Sequence, residues 1–282
     1  MLKQNFIVFI SISFCLFNSC TKSQVVDKPI KVEIPISNTY QYLPENLIAK
    51  DSLKQVTARY TDPTTRYAHG ILGDQIEGGG LLVTVKGKEY HYKLDENNVF
   101  EDLQPRLADV DNDGNLEFIT IQSSTTGGGS VAVYKIIDDK LQPYLTSGYI
   151  GTPSRWLNVA AIGDLDNDGK IEIAWIQTPH IGGILKIARV ENNQLVLLDS
   201  KSGITNHRIG SKNLCLSVLT NTSPQKTLYI PTQQYDAIKG FQLINSKIVE
   251  VETINQAVND AISLFQQYNF KDKIEDRNCI NP

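Results

Sequence analysis

Two nine-residue stretches hold the residues best able to do chemistry. Asp164 to Glu172 reads Asp-Leu-Asp-Asn-Asp-Gly-Lys-Ile-Glu, and Asp109 to Glu117 reads Asp-Val-Asp-Asn-Asp-Gly-Asn-Leu-Glu. The two starts lie 55 residues apart, and each copy carries acids at positions 1, 3, 5 and 9 with Gly at 6. An extended chain would throw these carboxylates to alternate sides, where they repel. A tight loop turns them inward, which is sensible only around a hard cation. Calcium takes six to eight oxygens, mostly carboxylate and backbone carbonyl. Glycine lets the chain turn sharply because it lacks a Cβ. The first ligand set is Asp109, Asp111, Asp113 and Glu117 with the Asn115 carbonyl. The second is Asp164, Asp166, Asp168 and Glu172 with the Lys170 carbonyl.

The spacing is not that of an EF-hand, which has twelve positions between two helices. Here the acid at position 9 opens a β-rich run, Leu116 to Gln122 in one copy and Ile171 to Gln177 in the other. The plainer alternative is a polar Asp/Asn/Gly turn between strands. No lysine or arginine side chain is placed by sequence to neutralise either loop.

The elements around the loops repeat with them. Ile121-Gln122 leads to Gly127–Gly129, a run from Ser130, a turn at Asp138-Asp139 and a further run from Leu141. Ile176-Gln177 leads to Gly182-Gly183, a run from Ile184, a turn at Glu191–Gln194 and a further run from Leu195. Each module therefore reads as four strands, with Asn- and Asp-rich hairpin turns. Nearly continuous apolar runs such as Ile171 to Ile176 imply strands buried on both faces. Weaker copies flank the pair. Upstream, Gly78–Gly80, Leu81–Val85 and Lys88–Tyr92 match the later half of a module, with Tyr60–Thr65 as its acid-poor loop. Downstream, Leu216–Leu219, Thr227–Ile230 and Lys239–Leu243 match again, with Thr220–Lys226 as the loop. The glycine triplets read as inter-strand turns. Asn255 to Tyr268 has helix-like spacing.

With 282 residues, 41% hydrophobic and 21% charged, the chain can bury a proper core. A net charge of -4 offers no nucleic-acid surface. Residues 1–20 read as an export signal: Lys3, then an apolar run from Phe6 to Phe17 that is too short to span a bilayer. Phe17-Asn18-Ser19-Cys20 resembles a bacterial lipobox with Cys20 as the acylated residue, although Phe17 and Asn18 depart from the usual pattern. An ordinary secretory signal with an incidental cysteine is the alternative. Residues 21–45 read as a tether. Cys215 and Cys279 remain outside the signal, and either a disulfide or two buried thiols fits.

No paired-histidine metal motif, nucleophile elbow or phosphate-cradling loop is present. Polar and aromatic residues do recur near equivalent module ends: His69, Arg106, Arg155, Trp156, His180, His207 and Arg208. Converging at one mouth, they would suit an anionic or sugar-like ligand. The alternative is that they cap hairpins and close the core.

On its loops and modules the chain resembles the FG-GAP/VCBS repeat β-propellers over roughly Tyr60 to Glu252. The resemblance implies an all-β fold of four-stranded antiparallel blades spanning residues 46–252, about four or five of them, with ring closure open and a segment at 253–282 outside. It also implies calcium in the acidic loops and a secreted interaction module. The expected protein is thus a calcium-binding, non-enzymatic, lipid-anchored component of the bacterial envelope that binds a protein or glycan. A propeller hydrolase or lyase acting on polysaccharide, and a purely structural envelope component, are the alternatives. A paired carboxylate in the mouth would favour the enzyme; an Arg/His/Trp cup without one would favour binding.

Overall fold

The computed structural model describes residues 40–220 and 225–258. The expected signal, Cys20, most of the tether and most of the Asn255–Tyr268 stretch lie outside these bounds. Among the described residues there is no helix, and every strand pairing is antiparallel.

Four runs of four strands follow one another. The first is β1 (Ala49–Asp51), β2 (Val56–Thr64), β3 (Glu77–Val85) and β4 (Lys88–Lys93). After the short β5 (Asn98–Phe100) come β6 (Arg106–Ala108), β7 (Glu117–Ser124), β8 (Gly128–Ile137) and β9 (Lys140–Thr146). β5 pairs with both β3 and β7, and so joins the first two runs into one nine-stranded sheet. The next sheet is β10 (Leu157–Gly163), β11 (Glu172–Gln177), β12 (Ile184–Glu191) and β13 (Gln194–Ser202). The last is β14 (Val218–Thr220), β15 (Thr227–Pro231), β16 (Ile238–Ile244) and β17 (Lys247–Ile254). First strands neighbour first strands, as β1 does β6 and β10 does β14; last strands neighbour last strands, as β4 does β9 and β9 does β13.

The apolar runs explain this stacking. On β11, Ile173 and Trp175 point into a cluster shared with Ile119, Ile121, Val131 and Val133. The alternate residues Ala174 and Ile176 point into a second cluster with Leu219, Leu228, Ile230 and Phe241. A third cluster packs Leu81, Val83 and Phe100 against Phe118 and Tyr134. Strand side chains alternate with period two, so a strand buried on both faces must be apolar throughout. Hairpin chemistry follows the sequence too. Asp138 and Asp139 join β8 to β9, and Asn192 and Asn193 join β12 to β13, all with φ between 49° and 62°. Two consecutive positive φ values make the turn that matches strand twist, and Asn and Asp tolerate them.

Three expectations change. Tyr60–Thr64 is not a loop but part of β2, where Asp62 takes a positive φ of 54°. Of the glycine triplets Gly127 alone lies in a turn: Gly78–Gly80 lie inside β3, and Gly128 and Gly129 open β8. They are small because neighbours approach closely. A Cβ on Gly80 would sit 2.7 Å from His91 Nε2, and one on Gly128 (φ +73°) would sit 2.8 Å from the Arg155 carbonyl. Asn255 to Val258 has no regular structure after β17; any helix beyond it falls outside the described residues.

Candidate functional site

Both acidic loops precede the second strand of their four-strand run. In the first, the Val110 N–H donates to Glu117 Oε2 at 2.9 Å, and Gly114 N–H donates to Asp109 Oδ2 at 2.9 Å. In the second, Leu165 N–H donates to Glu172 Oε2 at 2.8 Å, and Gly169 N–H to Asp164 Oδ2 at 3.0 Å. The loops thus fold alike, with matching positive φ at Asn112 and Asn167 and at Gly114 and Gly169. Each final glutamate is fully buried at the strand start while its aspartates line the loop above it.

The fold brings Asp109, Asp111 and Glu117 together, and likewise Asp164, Asp166 and Glu172. One carboxylate oxygen from each member lies within 4.8 Å of the others, so each trio can hold a metal ion. Asp113 and Asp168 stand outside the trios and hold their own loops, accepting from Asn115 N–H at 2.8 Å and Lys170 N–H at 2.9 Å. Asp109 Oδ1 and Glu172 Oε1 are buried without a hydrogen-bond partner, while Glu117 Oε1, equally buried, has the Lys135 ammonium at 3.0 Å. A buried charged oxygen without a partner is costly, and all the donors are hard oxygens, the set that calcium or magnesium prefers. The residues therefore fit a hard cation.

The loops are not free of basic side chains, contrary to expectation. Lys135 on β8 pairs with Asp111, with Asp113 at 2.8 Å and with Glu117 at 3.0 Å. Arg189 on β12 pairs with Asp168 at 2.8 Å and Glu191 at 2.8 Å, and stands 3.8 Å from Glu172. Both bases sit across the hairpin from the loop glutamate, and Glu172 is in register with Arg189. Aligning β8 with β12 by their turns would have exposed this recurrence. Burial would pull the Lys135 ammonium down, but its three carboxylate partners outweigh that and raise it. Burial raises Glu117, and with Asp166 and Asp168 nearby it pushes Glu172 up to about 7. A carboxyl so destabilised as an anion calls for positive charge.

The recurrent Arg, His and Trp residues separate into two groups. His69, Arg155, Trp156 and His180 line one cavity of about 270 Å³, together with Ile71, Ser154, Thr178, Ile181 and Ile209. His207 lies behind it, fully buried, 2.9 Å from His180 and edge-on to Trp156. Arg106 is elsewhere, buried and paired with Asp102, which also accepts from the Tyr60 hydroxyl at 2.7 Å. Arg208 stacks on Tyr235 at 3.7 Å and donates to the Val258 carbonyl at 2.5 Å. Both arginines hold structure together away from the cavity lining.

Glu101 and Ser123, which sequence reasoning did not single out, stand behind His69. His69 Nδ1 is 2.6 Å from Glu101 Oε1, and Ser123 Oγ donates to the other oxygen. Burial raises the fully enclosed Glu101. Trp156 Nε1 donates to the Glu101 carbonyl at 2.9 Å, which pins the indole. No carboxylate is among the residues lining the cavity.

Residues 100–175 match the family model described as FG-GAP-like repeat, a span that includes both acidic loops. No curated protein matches the sequence. Among solved structures, the chain is similar to the periplasmic gluconolactonase PpgL of Pseudomonas aeruginosa, with 13% identity and TM-score 0.39 over 77% of this chain and 66% of that one. It is similar to the rhamnogalacturonan lyase YesW with 10% identity and TM-score 0.39, over 77% of this chain and 53% of that one. The chain thus spans under two thirds of either length.

Proposed function

We propose that this FG-GAP repeat protein is a calcium-stabilised β-propeller, a non-enzymatic binding module for a glycan or protein, exported and held at the bacterial envelope by a lipid on Cys20. The observation that carries the calcium reading is the buried Oε1 of Glu172, without a hydrogen-bond partner beneath Asp164 and Asp166, matched in the first loop by Glu117 beneath Asp109 and Asp111. The four runs of four strands serve as blades, supported by strands apolar on both faces and by first strands that neighbour first strands. Cys215 is disulfide-bonded, which suits an oxidising compartment. Its partner lies outside the described residues.

A cation that binds only the folded state stabilises it by RT ln(1 + [L]/Kd), about 2.7 kcal/mol at one hundred times Kd. For a chain of this size that raises the melting temperature by about 5–10 °C. Melting curves in calcium, magnesium and EDTA test this. Calcium should stabilise most, because magnesium demands tighter octahedral geometry. Equal curves in calcium and EDTA would count against the proposal.

The cavity supports binding over hydrolysis by a carboxylate pair, since no carboxylate lines it. One observation favours a second reading. The His69–Glu101 pair is a carboxylate-backed histidine, an arrangement suited to general-base chemistry in a lyase or hydrolase acting on polysaccharide. Turnover of an acidic polysaccharide by the wild type, lost in His69→Gln, would establish it.

A further inference from the structure

The cavity beside Trp156 is built from segments of successive sheets: His69 and Ile71 before β3, Ser154–Trp156 before β10, Thr178–Ile181 after β11, and Ile209 after β13. Three polar groups there have valences that the described residues leave open. Arg155 Nη1 donates only to the Ser154 carbonyl at 3.1 Å, and no carboxylate of the described residues pairs with its guanidinium. His69 spends Nδ1 on Glu101, and its Nε2 has no hydrogen-bond partner among the described residues.

The third group is His180, whose tautomer is fixed by a relay. The Ser211 carbonyl only accepts, so His207 Nε2 carries a proton and donates at 2.8 Å. Burial holds both His180 and His207 neutral, pushing each down to about 4. His207 Nδ1 is then a bare acceptor, and His180 Nε2–H donates to it at 2.9 Å. That leaves His180 Nδ1 as a lone pair, able to accept from a hydroxyl but not to bind an anion. The ring is held in place by parallel stacking on Trp156, at 3° and 6.1 Å between centroids. The rim is apolar: Ile181 is 61% exposed and Ile209 is 71% exposed.

A ligand complementary to this wall has an anionic group for Arg155, a hydroxyl for His180 and a CH face for the isoleucines. The geometry points to this cavity as a binding site for one hydroxylated carboxylate of sugar-acid size, either free or at the end of a glycan. A volume of about 270 Å³ lies just below the usual range of ligand pockets, which suits one ring and not a chain. A phosphate would satisfy Arg155 but offer Ile181 and Ile209 no CH face. This assignment rests on the binding-module reading above and names its ligand class.

The test is calorimetry on the full chain in calcium-containing buffer, with D-glucuronate, D-glucose, acetate, inorganic phosphate and a glucuronate-terminated disaccharide as probes. Glucuronate should bind about tenfold or more tightly than glucose or acetate, the gain expected of one charge-assisted contact. Arg155→Ala, at a partly exposed position, should erase that margin with an unchanged melting temperature. His180→Phe, which keeps the ring but removes the lone pair, should weaken glucuronate as well. Binding of the disaccharide alone identifies a glycan end as the source, and binding of the monomer identifies a free sugar acid. Equal affinity for glucose and glucuronate, tighter binding of phosphate, or an unchanged margin in Arg155→Ala overturns the assignment. Calcium uptake is measured separately, so a chain that takes up calcium and ignores every sugar acid retires this inference alone.

Discussion

Asn112 and Gly169 tie the two acidic loops together: the Asn112 side-chain amide donates to the Gly169 carbonyl at 3.0 Å. Asn112 is position 4 of the first loop, and Gly169 is position 6 of the second. Ordering one loop therefore helps to order the other. An exposed hydrogen bond contributes about 0.5–1.5 kcal/mol, so calcium at one loop should tighten the other by up to about tenfold. Asn112→Ala should make the two sites independent. Calorimetry that gives the same coupling in this variant and the wild type would remove Asn112 from the account.

The two loops should differ in affinity because their built-in cations differ. Lys135 engages Asp111, Asp113 and Glu117 at once. Arg189 is divided between Asp168 and Glu191 and stays 3.8 Å from Glu172. An incoming cation must displace Lys135 more completely, so the second loop should bind calcium more tightly. Lys135→Met should tighten the first loop by about tenfold, 1.4 kcal/mol. A weaker first loop in that variant would show that Lys135 supports the site instead of competing for it.

Glu77 sets a pH dependence remote from the loops. It is 2% exposed, and burial, aided by Glu101, Asp74 and Asp102, pushes it up to about 9. The folded chain holds this proton while the unfolded chain loses it near 4.5. Stability from this group is therefore full below about 4.5 and falls as pH rises towards 9. Glu77→Gln keeps the shape and removes the titration. Its melting temperature should exceed that of the wild type at pH 8 and match it near pH 4.5; a lower value at pH 8 would mean the carboxylate has a stabilising role.

The disulfide at Cys215 should close on Cys279, since Cys15 and Cys20 belong to the expected signal and anchor. Cys279→Ser should expose one reactive thiol at Cys215 and lower stability by about 2–4 kcal/mol. Peptide mapping that joins Cys215 to another cysteine would reassign the pair. In the same cells, Cys20→Ser should move the protein from the membrane to the soluble fraction, and unchanged fractionation would argue against a lipid anchor.

The acidic loops and the strands around them were legible because their signals are local. Acid spacing, Gly114 and Gly169 at the turn, and the apolar runs of β7 and β11 all lie within a few residues of one another. Lys135 and Arg189 were not, because they reach the loops only through hairpin register. Gly78–Gly80 misled for a related reason: glycine marks both turns and close approaches, and only the packing of Tyr60, Asp62 and His91 reveals which. The cavity was half legible. His69, Arg155, Trp156 and His180 converge, while Arg106 and Arg208, identical in type, are consumed by Asp102 and by Tyr235 with the Val258 carbonyl. Residue type alone does not distinguish a spent guanidinium from a free one.

Calcium titration calorimetry on the wild type and the single variants Asp111→Ala and Asp166→Ala tests the central claim most directly. Each variant removes one member of one trio. The wild type should take up two calcium ions per chain, each variant one, and the double variant none, all with their strands intact by circular dichroism. A folded wild-type chain that takes up no calcium at millimolar concentration would contradict the account and leave both loops as polar turns closed by Lys135 and Arg189.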